Sequence, residues 1–153
     1  MARGLFAVAL AAVASAALAS EVDPICSQIL PTAEAEALAG VKPLALVGPS
    51  QVRFATGTCN YATKGKADRT LVLLVTVTRD SKQEDYEQLR KVSIGPKPAQ
   101  GLGDEAFTAE GVVGFRKGQT VVSLGTFVDS ASGKHRVGHA KLLEIAKLVA
   151  ARI

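Results

Sequence analysis

Two histidines, His135 and His139, stand four positions apart close to the C-terminus, and they are the only histidines in the chain. On a helix that spacing turns both imidazoles to one face, the arrangement a two-point metal site needs. Asp129 or Glu144 would supply a third ligand. The zinc-protease helix also requires Glu directly after its first His, and Arg136 stands there instead. The competing reading is two surface histidines at the start of a helix, which asks nothing further of the chain.

The other candidates are weaker. Asp104 and Glu105 follow a glycine turn, but neighbours on a strand point to opposite faces, so they do not form an acid and base pair. Asp104 reads as a turn cap and Glu105 as a solvated carboxylate. Gly101-Leu102-Gly103 lacks the third glycine, the Lys-Ser/Thr ending and the following helix of a phosphate loop. The serines, among them Ser81, Ser93, Ser123 and Ser132, sit in no nucleophile-elbow pattern. No catalytic residue and no cofactor follows from these residues.

Cys26 and Cys59 are the only cysteines. A catalytic redox pair is usually C-x-x-C, and these two are far apart. An even count in an exported chain reads as one structural disulfide, with a redox or metal pair as the alternatives. Export itself is read from residues 1–19. Arg3 gives a weakly positive start, Leu5 to Leu18 is apolar except for Ser15, and Ala17-Leu18-Ala19 is a small-x-small cleavage pattern. The apolar run is shorter than the roughly 20 residues a membrane span needs. Residues 1–19 are therefore expected to be a signal peptide cleaved after Ala19, and residues 20–153 a single domain with no stable membrane insertion. The expected location is the periplasm or the exterior.

The 153 residues suit one such domain. Formal charge is +4, from 18 Lys and Arg against 14 Asp and Glu; removal of Arg3 leaves 17 against 14, or +3. The excess is small and not clustered. With five Phe, two Tyr and no Trp, the chain lacks both the basic footprint and the stacking surface of a nucleic-acid binder.

The elements that position these residues follow from pattern. Residues 20–30 read as coil. Thr32 caps a helix over Ala33–Ala39 that Gly40 stops. Leu44–Val47 and Thr58–Thr63 read as strands, with Gln51–Ala55 a further short one or an irregular approach and Lys64–Asp68 a polar turn. Arg69–Arg79 is the strongest strand. Its Leu71, Leu73, Val75 and Val77 share one face, and Thr70, Val72, Leu74, Thr76 and Thr78 share the other, expected to be partly covered. Ser81-Lys82-Gln83-Glu84 has capping-box spacing and opens a helix to about Lys91, with Tyr86 and Leu89 buried. Ser93–Gln100 is the longest loop and the candidate ligand-facing segment. Gly101 to Phe127 forms a strand meander: Leu102 plugs the core, Gly118-Gln119 makes a type II′ hairpin turn, and Gly114 and Gly125 mark bulges or a close crossing. A last helix over about Lys134–Arg152 carries the apolar stripe Leu142, Ile145, Ala146, Val149 and Ile153. Its mixed charges favour packing on a sheet over lying on a membrane surface. The order predicts an α+β fold of two layers, an antiparallel sheet with helices packed on it and a long C-terminal helix.

Cys26 with Leu30 and Thr32, the Glu34–Gly40 helix, Cys59-Asn60-Tyr61, Gly101-Leu102-Gly103-Asp104-Glu105-Ala106 and Phe115-Arg116-Lys117-Gly118 together resemble a family of small exported bacterial proteins and lipoproteins of unknown function. The resemblance implies a compact α+β domain with one disulfide, and it carries no catalytic residues. The chain lacks the lipidation cysteine of the tethered members. The expectation is a non-catalytic binding module for a protein partner or a small ligand, using the open sheet face or the Ser93–Gln100 loop. The alternative is a metal-binding protein using His135 and His139.

Overall fold

A computed structural model of the chain describes residues 24–47, 56–63 and 70–153. The signal segment, Gln51–Ala55 and the Lys64–Asp68 turn lie outside these residues. The described chain forms four helices and seven strands. In order they are α1 (Pro24–Ile29), α2 (Thr32–Ala39), β1 (Leu44–Val47), β2 (Thr56–Thr63), β3 (Leu71–Thr78) and α3 (Gln83–Val92). They continue with β4 (Lys97–Ala99), β5 (Glu105–Ala109), β6 (Val112–Lys117), β7 (Thr120–Thr126) and α4 (His139–Ala150). All strands pair antiparallel in one sheet of order β1-β2-β3-β7-β6-β5-β4. The fold is α+β.

One connection decides the layering. Strand β3 lies third from one edge of the sheet and β4 at the other edge, so the chain between them must cross the sheet. Helix α3 makes that crossing, and it packs on β6. Helices α1, α2 and α4 cover the opposite face. The two-layer expectation therefore describes the β1–β3 end, and α3 adds a partial third layer over β5–β7.

Period-two alternation sorts the strands between these faces. Cys59, Tyr61, Leu73, Val75, Val77, Val113, Phe115, Val122 and Leu124 point to the α1/α2/α4 side, where they join Ile29, Leu30, Leu142, Ile145, Ala146 and Val149 in the main core. Tyr86 from α3 meets Phe107, Ala109 and Val121 in a second, smaller cluster, with Leu89 partly buried against it. The Tyr86 and Phe107 rings lie 5.9 Å apart at 56°, the tilted arrangement that aromatic quadrupoles favour. Leu102 is buried as expected.

Local chemistry shifts several boundaries. Residues 24–29 are helical, not coil, because Cys26, Ile29 and Leu30 are drawn into the core. Thr32 is the first residue of α2, and Pro31 precedes it without a side-chain cap. The α3 cap sits one residue later than the Ser81–Glu84 spacing suggests. The Asp85 carboxylate accepts from the Lys82 N–H at 2.7 Å, while the Ser81 hydroxyl donates to the Thr78 carbonyl at 3.0 Å. Gly118 has φ 58 and Gln119 keeps negative φ, the combination of a type II′ turn. Gly114 does mark a close approach: a Cβ there would collide with the Phe107 ring, whereas Gly125 faces open space.

Candidate functional site

The sheet face that α3 leaves uncovered carries a row of hydroxyls. Thr58 pairs with Thr76, and Thr76 pairs with Ser123. All three point away from the main core, since their neighbours Cys59, Val75, Val77, Val122 and Leu124 point into it. Ser123 pairs in turn with Gly114, over which Leu89 of α3 closes at 3.1 Å from a notional Cβ. The row thus runs across three strands and ends against the helix. Adjacent strands are about 4.8 Å apart, which sets the pitch of the hydroxyls.

Where the row meets α3 there is a groove of about 340 Å³. Thr76, Thr78, Val121 and Ser123 form its floor, Asp85, Gln88 and Leu89 its wall, and Arg79, Asp80 and Ser81 its mouth. Among the described residues, no hydrogen bond engages the hydroxyls of Thr58, Thr76, Thr78 or Ser123, and Gln88 has no hydrogen-bonded side-chain partner. Asp80 has φ 53, and it is the non-glycine residue with positive φ among those described. That conformation costs energy and concentrates at functional sites. Beside the hydroxyl row runs a second one, Asn60, Leu74 and Gly125, in which Gly125 leaves the backbone open to approach. A larger depression of about 510 Å³ lies along the outer side of α3, walled by Gln83, Glu84, Glu87, Arg90, Lys91 and Pro96. Its walls are long rotatable side chains on a helix surface, so it presents no fixed geometry.

The two histidines do not share a helix face, as the four-residue spacing proposed. Helix α4 begins at His139, with Gly138 before it, so His135 lies outside the helix. It forms an isolated bridge with Val128, rests on Gly111, and holds Nε2 3.9 Å from Glu110. His139 lines a separate depression with Ile94 and Glu110. The proposed third ligand Asp129 is bound to Arg136 at 3.0 Å, and Glu144 projects from the exposed side of α4. Among the described residues no group of three His, Cys, Asp or Glu side chains could hold a metal ion. The later start of the helix comes from the Phe127–Gly138 connection. Asp129 accepts from the Ala131 and Ser132 amides and the Ser132 hydroxyl, making a turn that keeps the chain out of helix until His139. The same hydrogen bonds, led by those from Ser132 and joined by Arg136, hold the Asp129 carboxyl below its ordinary range.

Asp104 and Glu105 share a partner instead of forming a site. Asp104 caps the hairpin by accepting from the Gly118 amide at 2.7 Å, as a turn cap would. Glu105 is not simply solvated. It pairs with Arg116 at 3.0 Å, and hydrogen bonds from Gln83 and then Arg116 lower its pKa. The Ser93–Gln100 loop is partly strand: Lys97–Ala99 forms the edge strand β4 on β5. Cys26 and Cys59 form the disulfide, with Cα atoms 5.5 Å apart. The hydroxyls of Ser81, Ser93 and Ser132 are engaged by the Thr78 carbonyl, the Leu89 carbonyl and Asp129.

The strand pattern did place Thr76 and Thr78 together on the second face of β3. It could not place Ser123 or Thr58 beside them, because register between strands distant in sequence is set by tertiary packing. Nor could it say that α3 covers only half of that face. No family model, curated protein or solved structure matches the chain, so the resemblance rests on the quoted motifs alone. No helix among the described residues is long and apolar enough to cross a membrane.

Proposed function

We propose that the protein is an exported, non-catalytic binding module whose ligand occupies the groove between α3 and the uncovered half of the sheet. The observation that carries this reading is the groove itself, a mixed surface in which the Thr76, Thr78 and Ser123 hydroxyls and the Gln88 amide are unengaged among the described residues. The Cys26–Cys59 disulfide supports an oxidising compartment, the periplasm or the exterior. Concave sites with a few convergent polar groups are the usual form of small-ligand pockets. The non-catalytic reading draws on how the carboxylates singled out in the sequence are engaged. Asp129, Glu105 and Asp104 are each committed to arginines or backbone amides, and no serine hydroxyl bonds to a histidine among the described residues.

Native mass spectrometry of the protein recovered from its own exported fraction tests this. The expected result is a chain lacking residues 1–19, two hydrogens lighter than its reduced form, with an added mass of a few hundred daltons in part of the population. Ser123→Tyr, which fills the groove floor with a residue suited to strands, should abolish that added mass. A small-molecule adduct that survives Ser123→Tyr, or the absence of any adduct, would overturn the groove as the site. A co-purifying polypeptide lost from the same variant would instead make the ligand a protein.

A further inference from the structure

We infer that the ligand of this groove is a linear, uncharged glycan lying across the strands, an inference that rests on the binding reading above and narrows it to a chemical class. Three features lead to it. The first is chemical. The row Thr58–Thr76–Ser123 presents hydroxyls only, and each hydroxyl can donate and accept, so the row complements a ligand that is itself made of hydroxyls. The second is metrical. The row repeats at the strand spacing of about 4.8 Å, close to the length of one sugar ring, so successive rings of an extended chain meet successive hydroxyls. An extended peptide laid the same way would not keep step, because its side chains alternate faces on a longer repeat. The third is the trough beside the row. Leu74 gives an apolar contact, and Gly125 leaves the backbone bare with nothing within 4 Å of a notional Cβ, so a flat ring can settle against the sheet. Glycine inside a strand weakens it and is often found where a ligand or another backbone approaches closely.

Charge excludes the anionic alternative. The groove holds one guanidinium, Arg79, against the carboxylates of Asp80 and Asp85. A phosphate or sulfate would be repelled more than held. Gln88 and Asp85 on the wall suit an uncharged hydroxyl or acetamido substituent, with Gln88 able to give and take a hydrogen bond. An ordinary antiparallel sheet also presents polar residues to water on one face. What distinguishes this face is the helix wall that turns it into a groove, the left-handed Asp80 at its mouth, and the bare Gly125.

The test is a titration of the isotope-labelled mature protein with cellohexaose and with chitohexaose, followed by backbone amide NMR shifts. The expected result is saturable shifts at Thr76, Thr78, Gln88 and Ser123 with at least one sugar. Thr76→Val keeps shape and removes a hydroxyl, and should weaken binding about tenfold, the effect of one lost hydrogen bond of ordinary strength. Gly125→Val should fold at least as stably, since it replaces a strand glycine with a β-branched residue, yet lose the shifts. No saturable shift with either sugar at millimolar concentration, or shifts mapping away from both the groove and the adjoining Thr58, Leu74 and Gly125 face, would overturn the glycan assignment. So would Gly125→Val binding as the parent does. A native adduct that is lost in Ser123→Tyr while both sugars fail would leave the binding reading standing and reject only the glycan.

Discussion

Tyr61 joins elements that are remote in sequence. Its ring is fully buried in the main core, and its hydroxyl donates to the Leu30 carbonyl at 2.6 Å. Leu30 lies between α1 and α2, so one hydrogen bond ties β2 to the helical lead-in. Burial pushes the phenol well above its ordinary value near 10, because the phenolate would be desolvated. Two outcomes follow. Tyr61→Phe leaves a buried carbonyl unpaired and should cost about 1–3 kcal/mol in urea unfolding at neutral pH. A folded pKa above the unfolded one means that stability is complete below pH 10 and is lost as pH rises beyond it. The parent should therefore lose melting temperature above pH 10, and Tyr61→Phe should lose less over the same range. Equal alkaline losses in the two proteins would remove Tyr61 from that account. Cys59-Asn60-Tyr61 placed this side chain on a core-facing strand position from alternation alone. Its bond to Leu30 was not legible, because nothing in residues 20–30 shows that they become helix until the core that recruits Cys26, Ile29 and Leu30 is present.

Elements set by their own periodicity were readable, and elements set by their connections were not. Helix α4 buries Leu142, Ile145, Ala146 and Val149 as the stripe requires, and Leu71–Thr78 forms the strand its alternation demands. The start of α4 was misplaced by five residues, because the turn over Phe127–Gly138 depends on side-chain hydrogen bonds from Asp129 that carry no periodic signal. This displacement takes His135 off the helix. The same carboxylate offers a test at this scale. Its pKa is depressed in the fold by the Ser132 and Ala131 hydrogen bonds and by Arg136. The sign is that of a depressed acid: its stabilisation is present above the unfolded value near 3.8 and is lost as pH falls through the lower folded value. Asp129→Asn should lower the melting temperature at pH 7, and the gap between variant and parent should close as pH drops below that range. A gap that stays constant down to acid pH would mean that the negative charge of Asp129 contributes nothing to it.

At the scale of the whole molecule, the sheet is held from both sides by different means. Over β5–β7 the chain is continuous from α3 through a tight meander, and hairpins keep partners close in sequence. The β1–β2–β3 end depends on contacts between distant segments: α1 on β2, and α2 on β1 and α4. Arg152 adds to that end by pairing with Glu34 at 2.8 Å and donating to the Ile29 carbonyl at 3.2 Å. The disulfide belongs to the same end. It links α1 to the centre of β2 across 33 positions, and a closed loop of that length restricts the unfolded chain by about 3–4 kcal/mol. Removing both sulfurs in a Cys26→Ser, Cys59→Ser double variant should therefore lower unfolding free energy by about that amount. The loss should also be uneven. Amide hydrogen exchange should accelerate most in α1 and β2, while the α3-covered strands β5 and β6 keep most of their protection, since their partners are local. The hydroxyl row spans this division, with Thr58 on the stapled β2 and Ser123 on β7. If the groove is read by its ligand as one rigid surface, the double variant should bind more weakly than its melting temperature alone would require, because Thr58 and Thr76 would no longer be held in fixed register. Uniform acceleration of exchange across all seven strands would show instead that the domain unfolds as one unit and that the staple sets only its overall stability.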